Sequence, residues 1–151
     1  MRINSMKKLI LASAVMLAMT GCFESEDFAC NVVVSDTSVK MVHSYKDYKE
    51  EETATLKRDD YGYYTDIVNK TTYPTRAAAD NACEDADDDY YDDREYTERP
   101  VCEGRSVTTY DERSGNRLED KQYEYESQCR AARQAFDNGS YEAMYKAAFG
   151  L

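Results

Sequence analysis

The sequence predicts an α+β domain, with a small antiparallel sheet and two or three helices on one face. Three observations predict it. Short β-branched runs separated by turn residues fill the first half. Apolar residues at helical spacing dominate the second. Four cysteines are spread over residues 30–129 of a chain poor in aliphatic side chains. The order strands, helix, strand, helices is that of segregated α and β elements, and 151 residues support one small domain.

Residues 28–34 (FACNVVV) and 39–45 (VKMVHSY) read as strands of a hairpin. Between them Ser35, Asp36, Thr37 and Ser38 bond their own backbone in turns. Residues 46–52 (KDYKEEE) read as a charged loop. Residues 53–57 and 63–72 form a second hairpin, with Gly62 supplying a positive φ in its turn. Pro74 ends that strand, and Thr75 caps a helix over 76–90. Ala79, Ala82, Cys83, Ala86 and Tyr90 share one face of this helix. Its acidic end opposes the helix dipole, so fraying is expected near Asp88. Residues 91–99 read as loop, and 101–110 as one strand broken or bulged at Gly104. Ser114-Gly115-Asn116 is a turn. Tyr125, Cys129, Ala132 and Phe136 then place a helix over 119–136, although LEDKQYEY also fits a returning strand. Asn138-Gly139 stops it, and Ser140 caps a last helix with Tyr141, Met144, Tyr145 and Ala148 as its stripe. A strand with a Cys (Cys30, Cys102) and a later helix with a Cys (Cys83, Cys129) occur in each half, a faint internal echo.

The first 22 residues carry a different signal. Arg2, Lys7 and Lys8 precede an apolar run, Leu9 to Met19, too short to span a bilayer. Thr20-Gly21-Cys22 follows. This arrangement resembles the signal peptide and lipobox of bacterial lipoproteins, with Met19 where Leu is commonest. The resemblance covers residues 1–22 alone. It implies cleavage after residue 21 and a lipid-modified Cys22 as the new first residue. Phe23, rather than Asp, follows the cysteine, which in that family favours the outer membrane, facing either the periplasm or the surface. Residues 22–27 are then a lipidated acidic linker, and 28–151 the domain. Several acyl chains anchor firmly, each buried methylene contributing about 0.8 kcal/mol.

Export changes the reading of the cysteines. In an oxidising compartment Cys30, Cys83, Cys102 and Cys129 form an even set, which implies two disulfides with three pairings open. No C-x-x-C occurs, so a zinc module is a poor alternative. Val, Ile, Leu and Phe number only 16 in residues 22–151. The staples and the 14 Tyr therefore have to supply what a thin aliphatic core lacks.

The formal charge is −11, and residues 1–21 hold three basic residues and no acidic one, so the remainder is more acidic still. That balance argues against nucleic acid as a partner, which needs clustered Lys and Arg. An EF-hand starting at Asp85 fails at Tyr90 and Tyr96, where Gly and Glu are required, so no metal site or cofactor is assigned. His43 is the single imidazole, and no hydrolase, P-loop or dinucleotide motif is present. The chemistry expected is therefore binding, not catalysis. Tyr61, Tyr63 and Tyr64 at a hairpin, and Tyr90 and Tyr91 at a helix end, are the candidate contact residues. They suit an unknown protein partner, or alternatively a glycan or cell-wall polymer stacked on their rings.

Lipid attachment makes a direct prediction. Cys22→Ser shifts the protein from the membrane to the soluble fraction and leaves residues 1–21 uncleaved, as read by fractionation and intact mass. An unchanged, membrane-bound product contradicts it.

Overall fold

The computed structural model describes residues 27–93 and 96–151. The expected signal peptide, Cys22 and the expected linker as far as Glu26 lie outside the described residues. Six strands form one antiparallel sheet: β1 (Phe28–Val34), β2 (Ser38–Tyr45), β3 (Tyr48–Asp59), β4 (Gly62–Thr72), β5 (Glu98–Glu103) and β6 (Ser106–Ser114). Their spatial order is β1-β2-β3-β4-β6-β5. Three helices follow their strands: α1 (Arg76–Asp88), α2 (Leu118–Asp137) and α3 (Tyr141–Phe149). α1 packs on β5 and β6, and α2 on β1, β2 and β3. α3 seats Tyr145 against Phe28 and Tyr45. The α+β class, the helices over the sheet and the disulfides are thus as the sequence predicts.

Four two-residue turns build the hairpins. Ser35 N–H donates to Ser38 O at 2.8 Å and closes the first. Tyr45 pairs with Tyr48, Asp59 with Gly62, and Glu103 with Ser106. Gly104 (60°) takes its positive φ inside the turn, and Gly62 (130°) takes one directly after Asp60-Tyr61, both without strain. Lys46 also takes a positive φ, 51°.

Several boundaries differ from the sequence expectation. Residues 48–52 are strand, not loop: the charged run alternates, sending Lys49 and Glu51 to the open face of the sheet and Glu50 and Glu52 to the helix face. The stretch 101–110 is two strands, because Gly104 makes a hairpin turn and not a bulge, and β5 begins at Glu98 inside the expected loop. LEDKQYEY is helix, since Leu118 and Tyr125 together reach the core. α1 ends at Asp88, and a single π-helical turn carries the chain on to Asp93. The Thr75 hydroxyl accepts from Ala78 N–H as a cap, whereas Ser140 turns its hydroxyl back to Ala135 O and Asn138 Oδ1.

The main core joins Val39, Met41, Ala54 and Ile67 of the sheet to Leu118 and Tyr125 of α2. A second cluster is aromatic. Phe28 stacks on Phe136, and Tyr45 meets both Tyr141 and Tyr145 edge to face. Tyrosine therefore does replace the missing aliphatics, with large rings burying area that Leu would otherwise supply.

The cysteines pair Cys30–Cys129 and Cys83–Cys102. Each bond joins an edge strand to a helix. The register puts both strand cysteines in one row that crosses the sheet: Cys30, His43, Glu50, Thr71, Val107, Cys102. The two staples sit at the two ends of that row.

Loop length ranks the staples. Cys30–Cys129 spans 99 residues and Cys83–Cys102 spans 19. On chain entropy, losing the first (Cys30→Ala with Cys129→Ala) costs about 4–5 kcal/mol, and losing the second about 3 kcal/mol. Urea denaturation of the two double variants checks the order, and an equal or inverted ranking contradicts it.

Candidate functional site

Because α1 and α2 are clamped over opposite halves of the sheet, its centre is not roofed. A cleft of about 470 Å³ opens there. Its floor is Glu50 and Glu52 from β3, Ile67, Asn69 and Thr71 from β4, and Val107, Thr109 and Asp111 from β6. Asp85 and Asp89 come from the α1 side, and Lys121 and Glu124 from α2. Tyr48, Tyr73 and Tyr96 close the end.

A hydrogen-bond network holds the floor. Asn69 Nδ2 donates to Glu50 Oε1 and to Glu52 Oε2, both at 2.9 Å. Thr71 Oγ1 donates to Asn69 Oδ1 at 2.9 Å, which fixes the amide orientation. The Tyr48 hydroxyl donates to Glu50 Oε2 at 3.0 Å, and the buried Tyr125 hydroxyl to Glu52 Oε1 at 2.7 Å. These donors are neutral, so they orient both carboxylates without cancelling their charge. Burial, reinforced by the neighbouring glutamates, raises both hydroxyls well above the ordinary tyrosine value and keeps them protonated as donors. Lys121 reaches Glu52 at 3.5 Å and Glu124 at 3.0 Å, and Arg113 pairs with Asp111 at 2.9 Å. Among the described residues that line the cleft, Lys121 is the one cation beside six carboxylates. The described lining is therefore predominantly acidic.

His43 lies beyond Tyr48, outside this cleft. Its Nε2 shares a 2.6 Å hydrogen bond with the Tyr141 hydroxyl, and the rings of Phe28, Tyr48 and Tyr141 surround it edge-on. Burial lowers its pKa, and Glu50 opposes that only in part. Burial also pushes the Tyr141 hydroxyl up to about 12. The imidazole therefore serves as a neutral member of the aromatic cluster under α3.

None of the five candidate tyrosines lines the cleft. Tyr61 stands at the β3–β4 turn, 99% exposed. Tyr63 and Tyr64 are neighbours on β4 and so face opposite sides of the sheet. The Arg58 guanidinium lies over the Tyr63 ring at 5.4 Å. Tyr90 and Tyr91 meet at 71°, and Arg99 lies over Tyr91 while its fork grips Asp87. Among the described residues no group of His, Cys, Asp and Glu converges as a metal site, and no helix is long and apolar enough to cross a membrane. The loop read over 46–52 hides Glu50 and Glu52, and nothing local in the strand read over 63–72 singles out Asn69. The signal was there: Tyr48, Glu50, Glu52 and Ala54 alternate, which puts two glutamates on the face of a buried alanine.

No protein-family profile matches the chain, and no curated protein or solved structure matches it either.

Two predictions follow from this geometry. Tyr125→Phe removes a donor to a carboxylate and costs about 1–3 kcal/mol in urea unfolding; a loss near zero means the floor does not depend on it. His43 has a folded pKa below its unfolded value of 6.5. The unfolded chain therefore binds more protons, and stability is lost as pH falls through that value. His43→Gln flattens the fall between pH 7 and 5; an unchanged slope assigns it to other groups.

Proposed function

We propose that this chain is a lipid-anchored protein of the bacterial cell envelope, held at the outer membrane, whose domain binds a basic segment of a partner protein without catalysis. The observation that carries the reading is the cleft: among the described residues six carboxylates and one lysine line it, and neutral donors preset Glu50 and Glu52. An Arg or Lys side chain entering it meets the carboxylates of its floor and walls, a setting that favours a cation. The anchor rests on the lipobox resemblance at Cys22, and the two disulfides fit a compartment outside the reducing cytosol.

A protein partner is preferred over a glycan because the candidate tyrosines do not share a plane, and Tyr64 and Tyr90 are half-buried. Tyr63 and Tyr64 face apart, and Tyr90 and Tyr91 are almost perpendicular. A sugar platform needs rings side by side.

Titration with an Arg- and Lys-rich peptide, and with an acidic peptide of equal length, tests the reading. The basic peptide binds, the acidic one does not, and raised salt weakens the complex. Asp85→Asn with Asp89→Asn, rim groups outside the floor network, lowers affinity about tenfold, or 1.4 kcal/mol. Equal binding of both peptides, or no effect of the variant, overturns it.

A further inference from the structure

The two edges of the sheet are built differently. β5 carries Pro100, a register break between Glu98 and Val101, and the charged residues Glu98, Arg99 and Glu103. Each of these discourages another strand from adding to that edge. β1 has none of them. Its sequence, FACNVVV, holds no charge and no proline, and it pairs with β2 in unbroken register over all seven residues. Burial falls along the strand, from Phe28 and Ala29 in the core to Val33 and Val34, which are 56% and 49% exposed.

The free backbone groups can be placed. Lys46 N–H donates to Asp27 O, and Ser35 N–H to Ser38 O, so the odd-numbered residues between them bond to β2. Alternation of an antiparallel ladder then turns the N–H and C=O of Cys30, Val32 and Val34 away from β2, towards the open edge. No hydrogen bond among the described residues takes up these groups.

We infer that β1 is an assembly edge, and that it pairs with β1 of a second copy of this chain, antiparallel about a two-fold axis near Val32. Such an edge is self-complementary, because both copies present the same alternating donors and acceptors. Charge favours the same occupant. The chain carries −11, yet residues 28–34 contain no ionisable side chain except a cysteine held in a disulfide. Two copies therefore meet along this seam without the repulsion that most of their surface would impose. A basic partner strand, by contrast, finds no carboxylate on β1 to pair with. The pairing sets Val32 against its counterpart and covers Val33 and Val34. Five residues from each strand make a contact well below the standard interface size, so the dimer is weak and forms as concentration rises.

Hydrogen exchange and light scattering test this on the full chain, purified in one fixed detergent, across a range of protein concentrations. In dilute protein the Val32 and Val34 amides exchange as open backbone. As the dimer forms they slow roughly tenfold, while amides of β5 do not change. Val34→Pro removes an N–H that β2 does not use, and Val33→Lys adds a charge to the seam. Both variants stay monomeric; Val33→Lys keeps its thermal midpoint and decides the matter alone if Val34→Pro does not fold. A monomer at every concentration with unprotected amides overturns the inference. So does a dimer that survives Val33→Lys, or one that leaves Val32 unprotected, since either means contact through another surface or a shared micelle.

Discussion

The structure depends on where its two disulfides stand. They occupy opposite ends of a single row of residues that crosses all six strands. One ties β1 to α2, and the other ties β5, the far edge, to α1. Each helix is thereby fixed over its own half of the sheet. In an ordinary α+β domain a continuous apolar layer draws the helices together over the middle. Here the middle rows hold Glu50, Glu52, Asn69, Thr71 and Thr109, which give the helices nothing apolar to meet across. Covalent bonds at the edges and polar residues at the centre together produce a cleft.

That arrangement also explains how so few aliphatic residues suffice. α1 lays Ala79 and Ala86 on the sheet, a close but small contact, and its staple and the Arg99–Asp87 fork supplement it. α2 brings Leu118 and Tyr125 to the aliphatic patch of Val39, Met41, Ala54 and Ile67. α3 has no staple and relies on rings: Tyr141, Tyr145 and Phe149 against Phe28, Tyr45 and Tyr48. Buried tyrosine needs a partner for its hydroxyl. Tyr125 and Tyr48 find theirs in Glu52 and Glu50, so the core and the cleft floor share the same residues.

Much of the fold was legible in the sequence because its turns are chemically explicit. The Ser35–Ser38 turn, Gly62, Pro74 with Thr75, and Asn138-Gly139 each mark an end that the structure keeps. The inward part of β3 was not legible for a physical reason. Its charged residues read as loop, since a strand with Glu at alternate inward positions is stable only when distant donors, Asn69 and Tyr125, satisfy them. Those donors lie 17 and 73 residues away, beyond the reach of local pattern. The candidate site was hidden for the same reason. The tyrosines chosen from sequence cluster along the chain, whereas the cleft gathers residues from six elements and the segment before β5.

The larger staple has a topological consequence. Cys30–Cys129 makes a covalent ring of most of the domain, with the Cys83–Cys102 ring enclosed within it. A protease that cuts the fully exposed Tyr61 tip opens the outer ring but detaches nothing, because its two halves remain joined through the sulfur bridge. Residues after 129 have no such tether. A cut at the exposed Asn138-Gly139 junction severs α3 outright and strips the aromatic cover from His43. Exposed to a protease, the domain thus tolerates nicking at its hairpin tip and has its point of weakness at the last interhelical turn.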